Sequence, residues 1–185
     1  MLIRPMTIHD SQIWIDWMDK ADYHHQPEWK GCYCRYYETN GSTDEWKLKL
    51  GEENRNEAIQ AIKEGYMHGY MAFEDDQLIG WANAGHWENY PRLSAYATPY
   101  ANMDTAMIVC FYVDPRYRQK GVMNALLTYA LDDLKGLGYV QVLVMPQAKD
   151  MSVTTYSGSI QWYKSHGFKA LDTKMGRAIL KFDLS

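Results

Sequence analysis

The segment Val113-Asp114-Pro115-Arg116-Tyr117-Arg118-Gln119-Lys120-Gly121-Val122-Met123-Asn124 has the make-up of an anion-binding turn. It joins an almost wholly apolar run, Ala106 to Val113, to a stretch whose apolar residues recur at helical spacing. A glycine at position 121 lets the backbone come close to a ligand. The first N–H groups of a helix have no intrahelical partner and point outward at the positive end of its dipole. Gly121, Val122, Met123 and Asn124 therefore offer main-chain donors suited to a pyrophosphate. Arg118 and Lys120 add positive charge, with Gln119 between them in the same turn. An ordinary strand–loop–helix turn and a nucleotide-binding α/β domain are the competing readings. The lone glycine, without Gly-x-Gly-x-x-Gly or Gly-x-x-x-x-Gly-Lys, argues against the nucleotide site.

Other reactive side chains carry less. Cys32-Tyr33-Cys34 lies near His24-His25, which raises zinc. The Cys-x₂₋₄-Cys spacing usual in structural zinc sites is missing, and there is no second cysteine pair. Buried thiols in a loop are the expectation, and no metal is expected. Cys110 sits in the run Ile108-Val109-Cys110-Phe111-Tyr112, where nothing lowers a thiol pKa, so it reads as a small core residue. Glu74-Asp75-Asp76 reads as a solvated hairpin turn.

The elements that must position these groups follow from periodicity. Leu2 to Arg4 reads as a strand stopped by Pro5. Ile13, Trp14, Trp17 and Met18 predict a helix from about Asp10 to Lys20. The stretch from Tyr23 to Gly41 reads as a loop with at most a short element. Ser42-Thr43-Asp44 caps a second helical region that breaks near Gly51 and resumes from about Asn54. Tyr70–Phe73 and Leu78–His86 read as a hairpin. Residues 87–103 form a Pro- and Tyr-rich insertion of the length often used for lids or substrate walls. Ala106–Val113 and Val140–Met145 read as buried strands flanking a helix from about Gly121 to Lys135. A short helix, Ile160 to Ser165, precedes two closing strands, Phe168–Leu171 and Ala178–Phe182.

The turn Arg118-Gln119-Lys120-Gly121-Val122-Met123 resembles the acyl-CoA signature of the GNAT superfamily of N-acetyltransferases, Arg/Gln-x-x-Gly-x-Gly/Ala. Met123 departs from its small last residue. Tyr156-Ser157-Gly158 through Tyr163 to Gly167-Phe168 is similar to the family's later motif, in its Tyr-x-Gly form. Ile3-Arg4-Pro5-Met6 and Leu78-Ile79-Gly80-Trp81 resemble its opening and early strands. The resemblance implies one domain over residues 1–185. Its fold would be α/β (α+β): a mixed, mostly antiparallel sheet of six to seven strands, flanking helices and a splayed parallel strand pair.

It further implies direct acetyl transfer from acetyl-CoA to a primary amine of a small molecule or peptide. A non-catalytic acyl-CoA-binding module is the alternative. The Phe111 N–H would face the thioester oxygen, and Tyr163 would protonate the leaving thiolate. Phe111, Val113, Arg118, Gln119, Lys120, Gly121, Val122, Met123, Asn124 and Tyr163 would hold the cofactor. Met107 stands where protein-acetylating members often carry Glu, leaving Asp104, Glu88 and His86 as candidate bases, or proton loss to water. Trp29 to Tyr37 falls in the family's variable acceptor region and is expected to wall the acceptor pocket.

Composition bounds the partners. With 185 residues, 46% apolar, and a net charge of −4 without a long basic run, the chain suits one globular domain and disfavours nucleic acid. No run approaches a membrane span, and the N-terminus lacks a leader-like pattern. Three cysteines cannot all pair within one chain and suggest reduced thiols in a cytoplasmic protein. Monomer and homodimer both remain open.

Overall fold

A computed structural model describes residues 1–24, 26–148 and 156–184. Seven strands form one sheet in the order β1-β2-β3-β4-β5-β7-β6. They are β1 (Leu2–Pro5), β2 (Gly69–Glu74), β3 (Gln77–His86), β4 (Thr105–Val113), β5 (Gln141–Val144), β6 (Lys169–Lys174) and β7 (Arg177–Asp183). Neighbours are antiparallel except β4 and β5, which run parallel. The helices are α1 (Ser11–Met18), α2 (Thr43–Leu48), α3 (Glu52–Lys63), α4 (Pro91–Ala97), α5 (Val122–Gly136) and α6 (Ile160–Ser165).

Alternation along the strands divides the apolar side chains between two faces. On one face Val122, Leu126, Leu127, Ala130 and Leu134 of α5 pack against Ala72, Ile79, Ala106, Ile108 and Phe111. On the other, Trp14, Ile15 and Met18 of α1 and Ala58 and Ile62 of α3 cover Met71, Trp81 and Tyr112. The stripe of α1 is thus Trp14, Ile15 and Met18, while Ile13 is solvent-exposed. The helix ends two residues short of the expected Lys20.

Local chemistry explains the boundaries. The Arg4 guanidinium donates two hydrogen bonds to Asp10, at 2.6 and 2.7 Å. Asp10 also accepts from the N–H and hydroxyl of Thr7, pinning β1 to the start of α1. Ser42 and Glu45 make a reciprocal capping box at α2. The insertion at 87–103 is not a loose lid. It forms a 3₁₀ turn (Trp87–Asn89) and then α4, whose Leu93 and Ala97, four residues apart, pack on Met107, Val109, Leu143 and Ile179. Pro91 at the helix start has a fixed φ and needs no donor there, so it opens the helix instead of breaking it.

Candidate functional site

The site is organised by an irregularity in β4. Pairing with β3 runs Ala84↔Ile108 and then Asn83↔Cys110, leaving Val109 as an extra residue. The bulge changes which residues face α5. Before it these are Ala106 and Ile108, and after it Phe111 and Val113. Cys110 and Tyr112 are turned to the opposite face. Pairing with β5 ends at Ile108↔Val144, although β4 continues to Val113. Beyond that point the chain leaving β5 follows β7, with the Ala178 N–H donating to Pro146 at 3.0 Å. The two parallel strands part as the resemblance implied.

A cleft of about 340 Å³ lies beside the unpaired end of β4. Phe111, Val113, Arg118, Gln119, Gly121, Val122, Met123 and Asn124 line it, together with Tyr117 and Tyr156. Gly121 has φ +82° and precedes the helix, and a Cβ there would meet nothing within 4 Å. Gln119 is also left-handed, with φ +61°. Such alternation turns successive N–H groups toward one side. The N–H groups of Val122, Met123 and Asn124 have no acceptor among the described residues. Arg118 lines the cleft while its Nε donates to the Val113 carbonyl at 3.1 Å, tying the turn to the strand end. Lys120 does not line it; its ammonium lies 5.1 Å from the Tyr117 ring centre.

α6 packs behind the cleft's lining residues, and none of its own side chains, Tyr163 included, lines the cleft. Ser159 caps the helix by accepting from the Trp162 N–H, and the Trp162 indole donates to Asn124 at 2.8 Å. The indole stands edge-on to Phe111 at 5.7 Å and to Tyr163 at 4.8 Å. Tyr163 is 1% exposed, and burial pushes its phenol above the ordinary range, with Cys110 and Tyr37 within electrostatic reach. Gly158 has φ +73°, and a Cβ there would lie 3.0 Å from the Tyr163 ring and 3.1 Å from the Met123 methyl. The bulk of Met123 is therefore accommodated by the absence of a side chain at 158. The Phe111 N–H donates to the Tyr156 carbonyl at 2.6 Å.

A second cavity, about 70 Å³, lies across β4 from α5. Tyr23, Trp29, Tyr36, Tyr37, Tyr112, Tyr156 and all three thiols line it. Trp29 to Tyr37 does form a wall, and Tyr156 is shared with the cleft. Cys34 and Cys110 are 3.5 Å apart at sulfur. The contact with Cys110, then burial, pushes the Cys34 thiol well up; burial pushes Cys32 up to about 12. Cys110 thus lines this cavity as well as packing in the core.

Sequence reasoning gave no sign of the buried polar cluster behind this wall. Asn83 is fully buried; its amide donates to Glu38 at 2.8 Å and to the Cys34 carbonyl at 3.1 Å, and it accepts from the Tyr90 hydroxyl at 2.8 Å. Burial raises the Glu38 carboxyl to about 7, against the opposing pull of Arg35 and Asn83. A single Glu in an aromatic loop carries no periodic signal. The candidate bases lie elsewhere. His86 pairs with Ala106 at the start of β4, five residues and roughly 16 Å of strand from Phe111. Neither it, Glu88 nor Asp104 lines the cleft or the cavity. Among the described residues His24 bonds Asp22, and Cys34 meets Cys110. His25 lies outside the described residues. Among the described residues no group of three or more potential ligands could hold a metal, and no helix is long and apolar enough to cross a membrane.

Several solved structures share this fold over nearly their whole length. An N-acetyltransferase of Thermoplasma acidophilum, solved in complex with coenzyme A, is 18% identical, with a TM-score of 0.56 and 99% of each chain covered. A ribosomal-protein-alanine N-acetyltransferase of Brucella melitensis is 16% identical, with a TM-score of 0.59 and 99% of each chain covered. An N-acetyltransferase of Staphylococcus aureus is 19% identical, with a TM-score of 0.55, covering 100% of this chain and 98% of that one. No curated protein matches the sequence. The family model described as Acetyltransferase (GNAT) family matches residues 29–168, and the chain belongs to that family.

Proposed function

We propose that the chain acts as a single domain that transfers an acetyl group directly from acetyl-CoA to a primary amine of a small molecule or peptide. The observation that carries this reading is the parting of β4 from β5 beside a turn with free main-chain donors. The cleft fits an acyl-CoA. Gly121 leaves space before the turn, the first N–H groups of α5 suit a diphosphate, and Arg118 is the cation beside it. Phe111 to Val113 offer a strand edge to the pantetheine amides, a form of strand addition. Bound there, acetyl-CoA supplies an activated acyl carbon and a thiolate leaving group.

The chain's own residues supply the rest. The Phe111 N–H is the oxyanion donor, a role typically worth about 2.7–4 kcal/mol of barrier. It is held by the Tyr156 carbonyl, so the acyl oxygen takes that hydrogen bond over when it arrives. Tyr163 donates the proton that the departing sulfur needs. Its raised pKa keeps it protonated throughout the physiological range. The acceptor enters from the cavity behind β4, which meets the cofactor's cleft at the shared residue Tyr156.

Calorimetry with acetyl-CoA, CoA and ATP, followed by thiol release across a panel of amines, tests the reading. Binding of acetyl-CoA and CoA but not ATP, with amine-dependent thiol release, is expected. Binding without release for every amine would leave the chain an acyl-CoA-binding module.

A further inference from the structure

The aromatic cavity specifies what kind of amine it takes. No charged side chain lines it among the described residues. Of the nearby carboxylates, Glu38 is turned to Asn83 and Arg35, and Asp22, beside Tyr23, is paired with His24. The nearby guanidinium, Arg177, donates to the Tyr37 hydroxyl at 2.8 Å and lies 5.3 Å from that ring's centre. Among the described residues a second ammonium on the acceptor would therefore find a nearby cation, Arg177, and no carboxylate in the lining. The thiols add small, weakly polar surface, and Cys34 and Cys110 meet each other in the lining. At about 70 Å³ the cavity is about half of the ~150 Å³ that admits benzene in an apolar protein cavity. A short aliphatic chain fills that space, and a ring would have to project toward the mouth.

We propose that the acceptor is a small primary amine on a short, unbranched apolar chain, neither a polyamine nor a lysine-bearing protein. This rests on reading the chain as an N-acetyltransferase and names the acceptor of that same site. It also accounts for the lack of a carboxylate base at Met107. An ammonium entering an apolar cavity without a counter-charge loses hydration, which favours the neutral form. Its extra proton leaves to water at the mouth. The neutral nitrogen's lone pair then forms the C–N bond, the C–S bond breaks, and its electron pair leaves on sulfur. Sulfur takes a proton from Tyr163, and Tyr163 regains one from the amine nitrogen by way of water. The products are the N-alkylacetamide and CoA thiol.

The test is thiol release by the full chain at saturating acetyl-CoA with methylamine through hexylamine, benzylamine, spermidine and a lysine peptide. The n-alkylamines from ethyl to hexyl have nearly the same basicity, so a trend among them reports burial. We expect kcat/KM to rise about four-fold per methylene up to about butylamine and then level off, the ~0.8 kcal/mol of burying one CH₂. Spermidine and the peptide should fall at least ten-fold below butylamine. Trp29→Ala, which widens the wall, should move the optimum to longer chains and admit benzylamine. A flat series, or spermidine or the peptide as best substrate, would overturn the acceptor assignment while leaving acetyl transfer standing. If Trp29→Ala does not fold, the native series alone decides. Acetyl-CoA binding with no release for any amine would instead remove the transferase reading beneath it.

Discussion

In the proposed reaction Tyr163 is the residue on which turnover would depend most directly. It is enclosed by Trp162, Phe168 and Gly158, and its phenol is held protonated by burial. Tyr163→Phe keeps the ring and removes the donor. It should lower kcat by about 10²–10⁴-fold while CoA affinity by calorimetry changes little. Because the phenol's pKa is raised, no descending limb below about pH 10 should belong to Tyr163; the rising limb reports the acceptor amine. Glu38 makes a prediction of opposite character. Its folded pKa, about 7, lies above the ordinary value of 4.5, so its stabilising contribution is present at low pH and is lost as pH rises through 7. Glu38→Gln keeps the Asn83 hydrogen-bond acceptor and abolishes that titration. Relative to the parent it should gain about 2 kcal/mol between pH 5 and pH 8 in denaturant melts. An unchanged difference would mean that Glu38 is ionised at no cost.

At the scale of elements, the approach of α5 to the sheet decides where the turn's donors point. Gly80 on β3 lies under the helix start, and a Cβ there would sit 2.7 Å from Val122 and 3.1 Å from Leu126. Gly80→Ala should therefore cost about 1–3 kcal/mol through overpacking and shift the first turn of α5, weakening CoA binding. Gly121→Val separates the two effects. A Cβ there meets no protein atom within 4 Å, but φ +82° costs a branched residue about 1–2 kcal/mol, and Gly121 lines the cleft, so the added bulk competes with the cofactor. Calorimetry should show at least ten-fold weaker CoA binding in a folded protein. The junction of β1 and α1 has its own signature. The Arg4 guanidinium, aided by Thr7, holds the Asp10 carboxyl at about 2. That stability is present above pH 4 and lost as pH falls through 2. Asp10→Asn should cost about 1–2 kcal/mol at neutral pH, with the difference vanishing in acid melts.

For the whole molecule, a ligand that binds only the folded chain must raise its melting temperature. At one hundred times Kd the gain is about 2.7 kcal/mol, or roughly 5–10 °C for a chain of this size. Acetyl-CoA and CoA should each produce such a shift and ATP should not. Equal shifts with ATP would point to a general phosphate site and against the strand-edge contacts with pantetheine. The chain needs its sheet intact for this, because the cleft lies beside the end of β4, whose place is set by pairing with β3 on one side and β5 on the other.

Local signals alone determined much of this. The run Ala106–Val113, the stripe of α5 and the Gly121 turn are contiguous in the chain, so periodicity and backbone chemistry located the turn residues, and the resemblance added Phe111 and Val113; Lys120 and Tyr163, also expected at the cofactor, do not line the cleft. The order of motifs likewise pointed to the GNAT family. Tertiary structure decided what depends on distant pairing. Register with β3 set the bulge at Val109 and so turned Cys110 to the cavity and Phe111 to the cleft. Burial against β4 and β5 made residues 91–97 a helix, where composition suggested a loop. The cavity joins residues from Tyr23 to Tyr156, and the Glu38–Asn83–Tyr90 cluster joins three elements. Neither leaves a periodic trace in the chain, because each contact is made across the fold and not along it.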